Sequence, residues 1–244
     1  MDLAPIPYEA RGRAYAGFLA DGAAGGGPAP GVLVIHEGGG LTGHAKERAA
    51  RIAAEFGAVA FAMDLFGPDV EPPAPGRPET LAKAQAVVRG LREDVGELRA
   101  RCAAALAVLA DHPHVDSARL AAVGFCFGGA AAIELARSGA DLKAVAGFHA
   151  GIIPGSAADD AAIRAKVLLC HGEADPVVPA AQVKAFAEGL SAGGVDWQLH
   201  LYGGVGHSFT NREIDAWALP GFAYDARADA RAWVALAQLF SEAF

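Results

Sequence analysis

The sequence predicts an α/β protein with a doubly wound, mostly parallel sheet flanked by helices. Three observations point there. Continuous apolar runs of strand length recur along the 244 residues, amphipathic helical patterns separate them, and the chemically capable residues fall where the runs end.

The first run, 32–35 (VLVI), follows a turn-rich connector at 25–31 (GGGPAPG). Others cover 58–63 (AVAFAM), 120–123 (LAAV), 144–148 (AVAGF), 167–170 (VLLC) and 197–202 (WQLHLY). The first five are apolar throughout, as strands covered by helices on both faces must be. Helices are expected at 45–56, 129–137, 180–190 and 226–240. From Leu81 to Leu109 apolar residues step by threes and fours, giving one or two helices with a break favoured near Gly90 and Gly96. The stretch 67–78 (GPDVEPPAPGRP) reads as a surface loop, because the alternation of strand and helix continues beyond it. With no repeat and no boundary between cores, one domain over 1–244 is expected.

Composition narrows the function. The 20 Lys+Arg against 28 Asp+Glu leave a charge of -8, the wrong sign for a nucleic-acid partner. Hydrophobic residues make up 53% of the chain, enough for a large core, yet no window approaches the roughly 18 to 20 apolar residues of a membrane span. Acids and prolines within 1–13 do not suit a signal peptide. Cysteine is sparse: Cys102, Cys126 and Cys170 fit a reducing cytoplasm, with a pairing of Cys126 and Cys170 left open. Eight histidines include His112 and His114 around Pro113 and His36 beside Glu37, but none has the spacing of a zinc motif. Neither metal nor cofactor is expected, and the expected partner is a small molecule.

The sharpest motif is Gly124-Phe125-Cys126-Phe127-Gly128-Gly129, between a strand and a helix. It has the form of a nucleophile elbow with cysteine in the usual serine position. A sharp strand-to-helix turn would lift the thiol above the sheet, near the positive end of the helix dipole. The bland alternative is a small buried cysteine in a glycine-rich turn. An acid and a base follow in the chain order of such hydrolases: Asp175 in HGEADPVVP and His207 in GGVGHSF, each in a loop after a strand. Asp175 would orient the His207 ring, and His207 would pair with Cys126 and later activate water. The backbone N–H groups of Phe127 and Gly38 are the expected oxyanion donors. Glu37, in HEGGG, places a carboxylate where it could exchange a proton with the thiol.

The motifs HEGGG, GFCFGG, HGEADPVVP and GHSF, in this order along most of the chain, resemble the dienelactone hydrolase family of α/β-hydrolases. The resemblance implies the α/β-hydrolase fold and a triad of Cys126, Asp175 and His207. It also implies that Glu37 takes the thiol proton when substrate binds. The implied reaction opens an enol-lactone to an acid, of carboxymethylenebutenolidase type, without metal or cofactor. An arginine that holds the substrate carboxylate in dienelactone-specialised members has Asn211 at its matching position, with Arg212 one place later. A second such arginine is matched by Lys83. His149 and Phe209 complete the candidate pocket residues. The expected function is a hydrolase of lactones or activated esters working through an acyl-enzyme. A ligand-binding protein that has lost its chemistry, and an acyltransferase, are the rivals.

Overall fold

The structure, a computed structural model, describes residues 3–23 and 27–244. Residues 25 and 26 of the expected connector, and residues 1 and 2 of the amino-terminal stretch, lie outside the described residues. The chain divides into two compact units, 1–122 and 123–244.

The first unit contains β1 (Ala4–Ala10), β2 (Arg13–Asp21), β3 (Ala29–Ile35), α1 (Gly43–Phe56), β4 (Val59–Met63), α2 (Pro78–Glu93), α3 (Val95–Ala110) and most of β5 (Val115–Phe125). Its strands pair in the order β1-β2-β4-β3, followed by β5. β3 and β4 are parallel. β1 pairs antiparallel with β2, and β2 with β4. The β1–β2 hairpin is absent from the sequence expectation. Its outer strand carries Pro5 and Pro7 and alternates in burial, as an edge strand does, so it shows no continuous apolar run. The chain reverses at Arg11 and Gly12, both with positive φ (48° and 76°), the backbone of a two-residue hairpin turn.

The expected pair of helices at 81–109 divides at Asp94 rather than at either glycine. Asp94 accepts the Glu97 N–H at 2.9 Å, capping α3. A cap contributes about 1 kcal/mol, so a residue that starts a new helix locates the break better than one that merely weakens the old. Asp64 fixes the loop after β4, accepting the N–H groups of Phe66 and Gly67 at 3.0 and 3.1 Å. His36 is a strut: its Nδ1–H donates to the Glu37 carbonyl and its Nε2 accepts the Leu65 N–H.

The second unit contains the end of β5, α4 (Phe127–Arg137), β6 (Ala144–Phe148), α5 (Ala157–Ala161), β7 (Lys166–Gly172), α6 (Ala180–Ala192), β8 (Trp197–Tyr202), a 3-10 helix (Arg212–Trp217) and α7 (Ala226–Ala243). β6, β7 and β8 run parallel, so their carboxyl ends share one edge. Phe125 and Phe148, at the ends of β5 and β6, stack with centroids 5.1 Å apart. Burying each contributes about 1.5–3 kcal/mol, and the contact locks together the strand ends from which the candidate site springs. α7 packs on β6 and β7 through a buried stripe that includes Trp233, Leu236, Leu239 and Phe240. No helix among the described residues is long and apolar enough to cross a membrane.

Candidate active site

Cys126 stands between the last residue of β5 and the first of α4, with φ 52° and ψ −117°. This backbone strains a residue with a Cβ by about 1–3 kcal/mol and persists only if its surroundings impose it. They do. The Cys126 N–H donates to the Phe148 carbonyl at 3.0 Å, and its own carbonyl accepts the Gly129 and Gly151 N–H groups at 3.0 and 2.8 Å. The turn is tight enough that a Cβ on Gly124 would lie 2.0 Å from the Gly128 carbonyl oxygen, and one on Gly129 2.5 Å from the Ala150 Cβ. The two glycines of the motif are therefore required by close approach. The Phe127 N–H belongs to the first turn of α4, where amide donors lack intrahelical partners. It faces the same end of the helix as the sulfur.

Asp175 follows β7 in a loop stitched to the loop after β8: Glu173 and Ala174 N–H groups donate to Tyr202 and Val205 carbonyls at 2.9 and 3.0 Å. One carboxylate oxygen accepts the Val177 and Val178 N–H groups at 2.7 and 3.0 Å. The other accepts the Nδ1–H of His207 at 2.6 Å. Burial alone would raise the Asp175 pKa, but the His207 hydrogen bond and charge, with the two amide donors, hold it below the usual carboxylate value. His171 backs the same carboxylate. Its Nε2 lies 3.8 Å from Oδ2 and donates to the Val178 carbonyl at 2.8 Å, and burial lowers its pKa, keeping it neutral.

His207 is fully buried and its backbone is pinned, its N–H donating to the Gly221 carbonyl at 2.8 Å. Phe222 and His149 pack edge-on against its ring, at 4.9 and 5.2 Å between centroids. Desolvation works to lower its pKa. The charge of Cys126, then the hydrogen bond and charge of Asp175, overcome that and raise it to about 10. Nε2, with no hydrogen bond of good geometry among the described residues, is the nitrogen left to deal with the sulfur. The structure thus brings Cys126, Asp175 and His207 together through three loops at strand ends.

The other expected residues have different surroundings. His149 is fully buried behind His207, shares a 2.8 Å hydrogen bond with Thr210 and has φ 39°. Phe209 is equally buried, edge-on to His149 and Tyr202. Asn211 caps the 3-10 helix by accepting the Glu213 N–H at 2.9 Å. Arg212 is exposed, its guanidinium 4.4 Å from the Tyr224 ring centroid. In the first unit, Lys83 is exposed on α2. There Glu37 lies 3.8 Å from His44 Nδ1, and Gly38 sits in the turn that the Gly40 N–H closes onto the Glu37 carbonyl. No disulfide joins any of the three cysteines. Cys170 is buried, accepts the Tyr202 hydroxyl at 3.5 Å and has its pKa pushed by burial to about 12.

Sequence reasoning missed the supports of the site, Thr210 above all. Backbone strain gathers in these loops: of five non-glycine residues with positive φ among the described residues, Cys126, His149 and Ser208 belong to them.

A model of the dienelactone hydrolase family matches residues 16–244. Among solved structures, the chain is similar to a dienelactone hydrolase-like promiscuous phosphotriesterase from metagenomic libraries. The two are 40% identical with a TM-score of 0.90, over 100% of this chain and 98% of that one. It is also similar to the "Putative carboxymethylenebutenolidase" of Methylorubrum extorquens, at 30% identity over 194 residues, 75% of this chain and 64% of that protein. The chain thus spans less than two thirds of that relative. An uncharacterized protein of Caenorhabditis elegans is 37% identical over 155 residues, 61% of this chain and 96% of that one.

Proposed function

Since this chain belongs to the dienelactone hydrolase family, with the α/β-hydrolase fold and a hydrolase's place within it, we propose that it cleaves lactones or activated esters through Cys126, His207 and Asp175. The observation that carries the reading is the 2.6 Å Asp175–His207 bond beneath an imidazole whose pKa is raised to about 10 by Cys126 and Asp175 together. At neutral pH that imidazole holds a proton. The sulfur is its natural source.

The sulfur attacks the substrate carbonyl carbon, and the charge that forms on oxygen is stabilised by the Phe127 N–H. One such donor is typically worth about 3 to 4 kcal/mol. As the carbon–oxygen bond breaks, the His207 proton passes to the leaving oxygen, leaving a thioester on Cys126 and a neutral ring. That ring then takes a proton from water, whose oxygen attacks the thioester. Sulfur departs with the electron pair, the acid is released, and His207 is again protonated. Asp175 stays ionised throughout, holding Nδ1–H so that only Nε2 carries the traffic. Enol-lactones suit this cycle, because an enolate leaves more easily than an alkoxide. The "Putative carboxymethylenebutenolidase" among the relatives supports that choice of substrate. Cysteines without a disulfide fit a reducing compartment, and a cytoplasmic location is part of the same reading.

The test is a panel of enol-lactones, saturated lactones, aryl esters and one aryl phosphotriester, assayed with the wild type and Cys126→Ala. Mass spectrometry of the quenched wild type should find an acyl adduct on the peptide containing Cys126. Turnover that survives Cys126→Ala would overturn the mechanism. A chain that alkylates slowly at Cys126 and turns over nothing would favour the ligand-binding alternative. Mixed products in added alcohol would favour acyl transfer.

A further inference from the structure

We propose that Asp21, His112 and His114, in the first unit, form a binding site for a divalent transition-metal ion of the zinc class. Asp21 is the last residue of β2, and the two histidines flank Pro113 in the turn between α3 and β5. One potential ligand atom from each residue lies within 4.8 Å of the other two. Ligand atoms around a tetrahedral zinc ion sit about 3.3 Å apart, given bonds of about 2.0–2.1 Å. Side-chain rotation alone can supply the difference.

The backbone beneath the group is fixed. The Ala29 N–H donates to the His114 carbonyl at 2.8 Å, and the Val115 N–H to the His112 carbonyl at 2.9 Å. The Ala23 N–H occupies Asp21 Oδ1 at 2.9 Å, which leaves Oδ2 facing the rings. Oδ2 meets His114 Nδ1 at 2.6 Å, and the His112 ring lies edge-on to the His114 ring with centroids 5.4 Å apart. The His112 Nδ1 accepts the His114 backbone N–H at 3.3 Å, so that nitrogen is unprotonated, and this long bond must give up its lone pair for Nδ1 to serve as the ligand. A simple Asp21–His114 ion pair would not need the second ring. The side chains of Asp21 and His114 are about a third exposed (33% and 36%), so an ion and its remaining waters can reach them.

Two imidazoles and a carboxylate suit zinc, nickel or copper and not calcium or magnesium. On loading, the Asp21–His114 hydrogen bond opens. The proton on His114 Nδ1 moves to the other ring nitrogen or, from an imidazolium, to water, so affinity falls as pH falls. The spacing of His112 and His114 alone hides this site, because Asp21 is 93 residues from His114.

The experiment uses the full chain carrying Cys126→Ala, to remove the reactive thiol as a competing ligand, stripped with a chelator and titrated with Zn2+ against a chromophoric chelator. The expected result is one Zn2+ per chain, no binding of Ca2+ or Mg2+, and at least a tenfold loss of affinity in His112→Ala and in Asp21→Asn. Circular dichroism in chelator checks that both variants fold. Independently of any variant at the site, Cu2+ at substoichiometric amounts should broaden the His112 and His114 ring signals before those of other histidines. Zinc affinity unchanged in the folded variants, or broadening that spares both rings, would overturn the proposal.

Discussion

The two ends of helix α4 put buried charge to opposite uses. At its first turn Cys126 and His207 meet with one imidazole nitrogen left without a good hydrogen bond. At its last turn Arg137 is held by four short contacts. Its Nη1 donates to Glu134 and to the Ile153 carbonyl at 2.6 and 2.8 Å, its Nε donates to Asp160 at 2.9 Å, and its Nη2 lies 2.7 Å from the same Asp160 oxygen. The carboxyl end agrees with the helix dipole, which favours a cation there, and the Cys126 sulfur stands at the amino end, where the dipole favours negative charge. The difference lies in satisfaction. A closed network at one end holds the helix in place, so that an open valence at the other can be spent on a reaction.

If that division is right, substitutions at the two ends must separate activity from stability. Asp175→Asn at the open end should lower turnover per folded molecule by about 10⁴-fold by fixing the wrong tautomer of His207, while the denaturation midpoint falls only by what the lost buried partner of His207 explains. The rate and the urea midpoint, measured on one preparation, check this. Equal losses in both would erase the distinction.

At the closed end, Arg137→Leu strands two carboxylates whose side chains are nine-tenths or more buried and should cost about 3–5 kcal/mol of stability. Turnover per folded molecule should remain within a few-fold of wild type, measured in conditions where the variant is folded. A fall in turnover without a fall in stability would mean that this end, too, serves the reaction directly.

Much of the open end was legible in the sequence, for a physical reason. A strand that turns at once into a helix needs glycines where backbones nearly touch, and Gly124 and Gly129 stand there on either side of Cys126. Asp175 and His207 were legible because loops after parallel strands gather at one edge of a sheet. The closed end was not. Arg137 and Asp160 are 23 residues apart and His149 and Thr210 61 apart, and each alone reads as an ordinary helix or loop residue. The β1–β2 hairpin escaped for a related reason: an edge strand rich in proline hides its pairing from a search for apolar runs.

The pH dependence of stability sharpens the comparison further. The His207 pKa is raised from its ordinary 6.5 to about 10 in the folded chain, so the native state holds the proton more tightly than the unfolded one. Its contribution is fully present below about pH 6.5 and is lost as pH rises through about 10. Cys126→Ala removes the largest influence raising that pKa, so the His207 titration should move down and the loss of stability between those pH values should shrink. Ring signals followed by NMR, with denaturation midpoints at the two extremes, measure both. An unmoved titration would mean that Asp175 alone sets the imidazole's charge.

Thr210→Val should give the smallest effect. It removes the hydroxyl that meets the buried His149 Nε2 at 2.8 Å, and losing one partner of a buried polar pair costs about 1–2 kcal/mol. His149 touches His207 edge-on, so the change reaches the open end only as a tilt of the ring. KM should hold while kcat falls slightly, and the His207 titration should broaden or shift with it. Thr210→Ser keeps the hydroxyl and should restore both. A loss of stability with kcat and the titration untouched would place His149 with Arg137, among the groups that build the site without tuning it.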